Sequence, residues 1–599
     1  MYGMKISVRV LLFSLLISGA LSCAKDNIPS ATDPLPFPLD QYKDLSTAPG
    51  DDFWQYCNGS WYSQTPTPAT EATGGIYDAF PVMDDKVGTI IAEDPSLNTF
   101  FRLRDELYAN SDAAVEYFNK LKDKYPAPAS RDDAFRAIGR LIMDGMPFFG
   151  FDLNNDWKDG ELIAMLGPNG SVYKYSFSDL DPASQEAVRL IAGEMGVAPE
   201  SIYFPEDIAL VLGMVSKLPL EDLIKGIDSC LAQWYPYINE ELNAASEAWT
   251  PEYTSTKART YAAYELSYRL AQKYVTPELK QYYQDLVGRV IDAFRERLRN
   301  LDWMSEVTKN NAIDKLDKMI VCIGCPDTWY EDCIPDLRDC KSLLEAVHKL
   351  SVANVRLHKH LIGTKDVFTN SIVQSAKDVT GNLKSTDLTL VNSYYRREYN
   401  CFVILPSMIL PPVTKPGLSE ACAYGAIVVA AHEITHGFDD AGAQYDAVGR
   451  IHNWWTVADK IAFEDRQKKL IQCYNMLEFD PFAYPGKFTD GTRTLGENLA
   501  DLGGFMMTRD AYAKRLQEQG FTGENYTAQL KKFYESYADL WRNKYSQEKL
   551  NIIINQDIHS HCRSRVNGVV MNTDEWYDLY DVTRNNILYL PPERRTYIW

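Results

Sequence analysis

The sequence predicts a mainly α-helical protein with two or more lobes, and three observations support this prediction. The chain has 599 residues, which is too long for one small hydrophobic core. Residues 254–319 carry a long amphipathic pattern with the helical period, for example in YYQDLVGRVIDAFRERLRNLDWM. Runs with the alternation of a β-strand are few along the chain. We therefore expect lobes built mainly from helices, with only a small β-sheet.

The composition fits a well-packed globular protein and excludes some classes of partner. Hydrophobic residues make up 45% of the chain and aromatic residues 12%, as in proteins with a large buried core. The formal net charge is −21, which argues against binding to nucleic acid and against a basic surface that would attract membranes. No nucleic-acid partner is therefore expected.

The first residues resemble an export signal. Two basic residues precede the apolar run VLLFSLLISGA at 10–20, which is too short to span a bilayer as a mature helix. The run leads into ALSC, so residues 1–22 would be a signal peptide and Cys23 a lipidated N-terminus, as in a bacterial lipoprotein. An ordinary cleaved secretory signal is the alternative. Residues 23–48 are expected to be a polar, proline-rich tether. In either case we expect an exported protein of the cell envelope, in the periplasm or at the cell surface. If Cys23 is lipidated, its lipid would anchor the protein to the membrane.

The stretch CFVILPSMILPP, which begins at Cys401, is the clearest strand candidate. It is short and rich in residues that favour strands, and Pro411 and Pro412 end it. We expect it to be an edge strand that could pair with an extended peptide. Residues 341–387 are expected to connect two larger regions, because the stretch GTKDVFTNSIVQSAKDVTGN within them is polar and weakly patterned.

Ten of the eleven cysteines remain if Cys23 is lipidated, an even number that is compatible with disulfides in an oxidising compartment. Four of them lie close together in CIGCPDTWYEDCIPDLRDC, at residues 322–340. Their spacing does not fit a common structural zinc site, so one or two local disulfides are the favoured explanation. A second metal site and ordinary reduced cysteines remain as alternatives.

Two of the eight histidines, His432 and His436, lie four residues apart in IVVAAHEITHGFDDAG. On a helix these positions share one face, so both imidazoles can bind the same metal ion with Glu433 beside them. This is the H-E-x-x-H arrangement of zinc-dependent hydrolases. A polar helix surface would be the other explanation, but histidine is rare in this chain and the pattern seldom arises by chance.

The third ligand decides the class of zinc site, because a catalytic zinc usually has three protein ligands and one open position. The metzincin pattern would need a glycine at Asp439 and a histidine at Gly442, so it does not apply. Classes with a glutamate nineteen or twenty residues after His436 have Trp455 and Thr456 at these positions instead.

A second motif, TLGENLADLGG, offers the missing carboxylate. Glu497 and Asp501 are four residues apart, so on a helix both side chains point the same way. Glu497 could complete the zinc site, and Asp501 could accept the ring N–H of a zinc-binding histidine. An ordinary acidic helix face, capped by Gly503 and Gly504, would explain this motif if it stood alone.

These motifs and several others, in the same order, make the chain similar to the neprilysin and endothelin-converting-enzyme family of zinc metalloendopeptidases. The motifs are PGDDFWQYCNGSW at residue 49, LDWMSEVTKNNAIDKL at 301, IGCPDTW at 323, NSYYRREYN at 392, HEITHGFDD at 432, GENLADLGG at 496, DIHSHCRSRVNG at 557 and the final Trp599. The resemblance covers nearly the whole mature chain. It implies an N-terminal helical region at residues 49–340 and a zinc-binding catalytic region at residues 388–599.

The resemblance implies a role for each matching residue. One zinc ion per chain would be bound by His432, His436 and Glu497. The general base would be Glu433, Asp501 would orient a zinc-binding histidine, and His559 would stabilise the transition state. The substrate would be bound by Asn392 and Ser393 at its backbone, by Arg565 at a carbonyl, and by Val428, Val429, Leu540 and Trp541 around the side chain after the cut.

Two departures from the family affect the expected disulfides and subsites. The cysteines of the vertebrate members are mostly absent, so no disulfide pattern is transferred from them. The stretch PSMILPP is one residue shorter than its family counterpart, and this affects the expected strand and the subsites beside it.

The implied fold has two largely helical lobes around a central cavity that admits peptides of limited size, and its catalytic lobe is thermolysin-like with a small β-sheet. The implied function is zinc-dependent hydrolysis of oligopeptides on the amino side of hydrophobic residues. An exported lipoprotein that binds peptides or glycans without catalysis is the alternative, and the 37 tyrosines and 12 tryptophans would suit it. Such a binder does not need the complete set His432, Glu433, His436 and Glu497, so the set favours the enzyme.

Overall fold

The computed structural model describes most of the chain. The described residues are 39–106, 111–146, 148–156, 158, 160–167, 173–237, 258–373, 375–377, 383–385, 387–415 and 419–599. Cys23, the expected signal peptide and most of the expected tether lie outside these residues. Among the described helices, none combines the length and the apolar character that a membrane span requires.

Helices form most of the regular structure, and the strands are short. The α-helices are α1 Phe53–Gln64, α2 Ala79–Glu93, α3 Pro95–Asp105, α4 Ser111–Lys122, α5 Arg131–Met143, α6 Pro182–Met195, α7 Glu206–Val215, α8 Leu220–Ala232, α9 Ala263–Tyr274, α10 Pro277–Asn300, α11 Glu306–Asp317, α12 Leu343–Leu361, α13 Val367–Val373, α14 Pro406–Ile409, α15 Glu420–Thr435, α16 Val457–Tyr474, α17 Leu495–Glu518, α18 Gly523–Leu540, α19 Gln547–Asn555, α20 Cys562–Val570 and α21 Asp574–Leu579. The strands are β1 Ala72–Thr73, β2 Phe151–Asn155, β3 Leu162–Leu166, β4 Tyr175–Ser176, β5 Ile202–Phe204, β6 Ile320–Ile323, β7 Ser375–Lys377, β8 Leu383–Ser385, β9 Ser393–Arg396, β10 Cys401–Ile404, β11 Glu478–Asp480, β12 Tyr484–Phe488 and β13 Lys544–Tyr545. The predicted mainly α-helical fold is confirmed.

The helices pack into two lobes. In the first lobe α5 packs against α6 and α8, α12 packs against α3, α4 and α5, and a four-stranded sheet has the order β2-β3-β5-β4. In the second lobe α15 and α17 pack closely against each other, and α10, α16, α18 and α20 surround them. The lobes do not follow chain order, because α1 packs against α18 and α20, and α10 packs against α17.

The predicted helical pattern at residues 254–319 corresponds to α9, α10 and α11. Thr276 caps α10, since its side chain accepts a hydrogen bond from the backbone N–H of Leu279, and Pro277 occupies the first turn, where its missing N–H costs nothing. Tyr283, Val290 and Phe294 are buried on one face of this helix. That face packs against the helix pair α15 and α17.

The strand predicted at Cys401 is present as β10, but the prediction that it is an edge strand is wrong. It lies in the middle of a three-stranded sheet, parallel to β6 and antiparallel to β9. All four of its residues are buried, as expected of a strand that is covered on both faces. The edge strand beside the helix pair is β9, which begins at Ser393.

The described cysteines, ten in number, are all free thiols. The favoured expectation of local disulfides among the four cysteines at 322–340 is therefore wrong. The nearest partner of Cys322 is Cys401 on the neighbouring strand β10, with 3.5 Å between the two Sγ atoms. The helix α12 lies in the expected connecting segment 341–387. It packs against helices of the first lobe, and many of its residues are buried.

Candidate active site

The two predicted histidines and the predicted glutamate meet at one point. His432 lies in the last turn of α15, His436 follows that helix directly, and Glu497 lies in the first turn of α17. The two Nε2 atoms are 3.0 Å apart, and the Glu497 carboxylate lies 3.2 Å from Nε2 of His432 and 3.7 Å from Nε2 of His436. All three donor atoms lie within 4.8 Å of one another. Two imidazole nitrogens and one carboxylate oxygen are a donor set that zinc prefers.

The other ring nitrogen of each histidine donates to a carboxylate. Nδ1 of His432 donates to Asp501 Oδ1 at 2.8 Å, and Nδ1 of His436 donates to Asp439 Oδ2 at 2.7 Å. These hydrogen bonds fix the ring orientations and the tautomers, so that both Nε2 atoms are left to bind a metal ion. The residues therefore fit a zinc ion. Burial lowers the pKa of His432, but the hydrogen bonds and charges of Asp501 and Glu497 raise it to about 10, so a metal ion would bind Nε2 by displacing a proton.

Asp439 was not identified as a partner of His436 from the sequence, where it served only to exclude another class of zinc enzyme. Its position three residues after His436 was the available signal. That signal was weak, because α15 ends at Thr435 and the path of the following chain depends on the rest of the fold.

Close packing of α15 and α17 brings His432, His436 and Glu497 together. A Cβ atom added to Gly504 would lie 2.5 Å from the backbone nitrogen of His432, and one added to Gly503 would lie 2.6 Å from the side chain of Thr435. Only glycine allows the two backbones to approach this closely. The alternative explanation of Gly503 and Gly504 as a helix cap is wrong, since α17 continues to Glu518.

The site opens into a cavity of about 970 Å³. The predicted residues that line it are Asn392, Ser393, Val428, Val429, His432, Glu433, His436, Glu497, Asp501, Trp541, His559 and Arg565. The cavity is also lined by Tyr77 and Phe80, which come from the N-terminal part of the chain. Burial is the largest cause that raises the pKa of the Glu433 carboxyl.

Leu540 does not line this cavity, so the expectation that it does is wrong. It lies beside a much smaller, separate cavity near Lys415 and Asp539. Successive residues on a helix differ by about 100° in direction, which explains why Trp541 faces the large cavity and Leu540 does not.

Arg565 is a cavity residue with a strong internal partner. Its Nε and Nη2 atoms each donate to Asp501 at 2.6 Å, and its guanidinium lies 3.6 Å from the centre of a Trp541 ring. Asp501 therefore lies between a cation and His432, one of the candidate metal ligands. The charge of Arg565 helps to hold the pKa of Asp501 below its usual value, against the opposing effect of burial.

His559 faces Glu497 across the cavity, with its Nε2 atom 3.2 Å from the carboxylate. Its Nδ1 atom donates to Asp557 at 2.7 Å, a partner that was not identified from the sequence. Its side chain is 46% exposed, so that it can reach a bound molecule. Hydrogen bonding to Asp557 orients this ring as Asp501 and Asp439 orient the other two.

Comparison with known proteins identifies related chains. Two models described as peptidase family M13 match, one at residues 392–596 and the other at residues 232–326. Together they cover half of the chain. The first matched range contains all the site residues described above apart from Tyr77 and Phe80, which precede both ranges.

Among the curated relatives, the neutral endopeptidase of Lactococcus lactis subsp. lactis is 29% identical over 330 residues, which are 55% of this chain and 48% of the relative. Neprilysin-11 of Caenorhabditis elegans is 30% identical over 52% of this chain and 36% of its own length. Mouse neprilysin is 27% identical over 54% of this chain and 42% of its own length. These matches thus span half or less of each relative.

Solved structures share the fold over nearly the whole chain. The zinc metalloprotease Zmp1 of Mycobacterium tuberculosis in its open state has a TM-score of 0.68 and 22% identity, covering 92% of this chain and 100% of its own. PepO from Lactobacillus rhamnosis has a TM-score of 0.58 and 20% identity, covering 92% of this chain and 100% of its own. At these identities the likeness is evidence for the fold.

Proposed function

Because the chain belongs to peptidase family M13, as its resemblance to neprilysin indicated, we propose that it is a zinc-dependent endopeptidase. Its substrates would be oligopeptides, cut on the amino side of hydrophobic residues. The observation that carries the proposal is the convergence of His432, His436 and Glu497 on one point, with Glu433 beside them in a large cavity. The volume of the cavity suits a peptide of limited size rather than a folded protein.

One zinc ion per chain would be held by His432, His436 and Glu497. Bound there, it supplies a Lewis acid that polarises the scissile carbonyl and makes a water molecule a good nucleophile. Glu433 accepts the proton of the attacking water and passes it to the leaving amine. A raised pKa suits this exchange, because the same carboxyl group must first accept a proton and then give it up.

The remaining residues bind the substrate and stabilise charge. His559, which Asp557 orients, donates a hydrogen bond to the oxyanion as it develops. Asn392 and Ser393, at the start of the edge strand β9, bind the extended peptide backbone. The side chain after the cut packs against Val428, Val429 and Trp541, and this apolar surface explains the proposed preference for hydrophobic residues.

Two variants test the proposal. Glu497→Ala should lose zinc while the fold remains, because the site then has only two protein ligands. Glu433→Gln should keep zinc and lose several orders of magnitude in kcat, because an amide of almost the same shape cannot accept the proton.

The measurements are zinc content after mild chelation and cleavage of short peptides. Full zinc occupancy in Glu497→Ala would show that the third ligand is misassigned. A wild-type protein that binds zinc and peptides without cleaving any of them would favour the alternative, a peptide-binding lipoprotein. We also propose that the protein is exported and anchored through a lipid on Cys23.

A further inference from the structure

A buried lysine outside the catalytic region is connected to the candidate metal site by an unbroken series of hydrogen bonds. Lys315 lies on α11 and is 1% exposed. Its ammonium group donates to the backbone carbonyls of Gly442 and Tyr445, both at 2.7 Å. These two carbonyls belong to the loop that follows the zinc-binding helix α15, which we call the 437–447 loop.

The series continues through this loop to the metal ligand. The backbone N–H of Gly442 donates to Asp439 Oδ1 at 2.5 Å, and the N–H of Ala441 donates to the same oxygen at 2.9 Å. The other oxygen of Asp439 accepts the ring N–H of His436 at 2.7 Å. The orientation of His436 therefore depends on Asp439, and the position of Asp439 depends on the conformation of the loop.

The 437–447 loop also has close contacts with the end of α15 and with Asn400. A Cβ atom at Gly442 would lie only 1.8 Å from the carbonyl oxygen of His436, so the loop folds back directly onto the end of α15. Asn400 adds a second connection between α11 and the loop, because its side-chain amide donates to the carbonyls of Lys315 at 2.9 Å and Ala447 at 3.0 Å.

A lysine at this position has an energetic cost. Burial lowers the pKa of Lys315 to about 7, although Asp439 and Asp446 partly oppose this shift. An apolar side chain of similar length would fill the same space without the cost of removing an ammonium group from water. Packing alone therefore does not explain why a lysine occupies this position, whereas its hydrogen bonds to the two backbone carbonyls do.

We propose that Lys315 is a positioning residue for the metal site, which holds the 437–447 loop so that Asp439 keeps the His436 imidazole directed at the metal. The proposal rests on the proposed function only in that His436 is a zinc ligand. It assigns Lys315 no contact with substrate or metal.

The test compares two buried lysines on the same helix. Lys315→Met removes the ammonium group and keeps an unbranched side chain. Lys309→Met is the matched control, because Lys309 is 9% exposed and its ammonium group donates to the backbone carbonyl of Arg299 and to the carboxylate of Glu306, away from the loop. The zinc dissociation constant is measured by competition with a chelator, and thermal unfolding of the metal-free protein reports stability separately.

We expect Lys315→Met to bind zinc about 10 to 100 times more weakly, as when the hydrogen-bond partner of a metal ligand is lost. Lys309→Met should bind zinc like the wild type at a comparable stability. In an Asp439→Ala background, Lys315→Met should cause almost no further loss, since both substitutions act through the same carboxylate. If Lys315→Met does not fold, Lys315→Gln replaces it in the same comparison.

Unchanged zinc affinity in the Lys315 variant would overturn the proposal. A loss of affinity that persists undiminished in the Asp439→Ala background would also overturn it, because Lys315 would then act by another route. The proposed function fails separately: a wild-type protein that binds zinc but cleaves no peptide leaves the role of Lys315 intact.

Discussion

The glycine at position 504 offers a direct test of how the candidate site is built. Gly504 lies in the middle of α17, where a Cβ atom would be 2.5 Å from the backbone nitrogen of His432 and 2.9 Å from the backbone carbon of Ala431. Both are main-chain atoms of α15, the helix that carries the candidate metal ligand His432, so they cannot swing aside as a flexible side chain can. Gly504→Ala must therefore push the two helices apart.

The size of the effect follows from two opposing contributions. Replacing glycine by alanine inside a helix usually stabilises it by about 0.5 to 1 kcal/mol. Overpacking a tight contact usually costs about 1 to 3 kcal/mol, so we expect a net loss of stability. Since nonbonded atoms prefer a separation of about 3.5 Å, the backbone at His432 has to move by about 1 Å. A displacement of that size can lower activity by about 100-fold.

The assay compares Gly504→Ala with Gly288→Ala. Gly288 lies inside α10, where an added Cβ atom would meet no neighbouring element within 4 Å among the described residues, so alanine there should stabilise the protein or leave it unchanged. Urea unfolding of the metal-free proteins, zinc affinity and peptide cleavage are measured for both variants. If Gly504→Ala is as stable and as active as Gly288→Ala, close helix packing does not set the geometry of the site.

Three further predictions concern substrate binding, pH and location. Arg565→Ala should mainly raise KM for short peptides, whereas His559→Ala should lower kcat by about 100-fold or more. Both variants are compared with the wild type by steady-state kinetics at matched zinc occupancy. Wild-type constants in both variants would refute the roles proposed for Arg565 and His559. Burial raises the pKa of Glu265 from 4.5 to about 8. Between these two pH values the folded protein keeps a proton that the unfolded chain has lost, so the stability of the folded protein falls as the pH rises through this range. Glu265→Gln should therefore be more stable than the wild type at pH 9 and similar to it at pH 4, and a pH-independent difference in unfolding free energy would contradict this. Cys23→Ser should release the protein from the membrane fraction, and unchanged membrane association would refute the lipid anchor.

The part of the site that could be predicted from the sequence depends on local geometry. His432 and His436 share a helix face because of their spacing, and the same holds for Glu497 and Asp501. In each pair the backbone conformation alone determines where the side chains point. That these pairs face each other required the resemblance to a family, because nothing in the spacing shows how two helices pack.

The rest could not be predicted, because it depends on contacts between distant parts of the chain. The apolar stretch at Cys401 predicts a strand, but its central position comes from pairing with β6, about eighty residues earlier. Two consecutive glycines suggest a helix end, yet packing against α15 keeps Gly503 and Gly504 inside a helix. Lys315 reaches the 437–447 loop only because α11 lies against it in the fold.

The candidate site also depends on the first residues of the described chain. The indole N–H of Trp54 donates to the carbonyl of Trp541 at 2.7 Å, which fixes the backbone beneath a residue of the cavity wall. Asp52 forms an ion pair with Arg563, two residues before Arg565 on α20. The strand β6 supplies one side of the sheet whose other edge is β9. Residues 388–599 hold every proposed ligand, but Trp541 and α20 also have contacts with residues that precede this range. The candidate site is therefore supported by contacts among three separate stretches of sequence: the start of the described chain, β6 and residues 388–599.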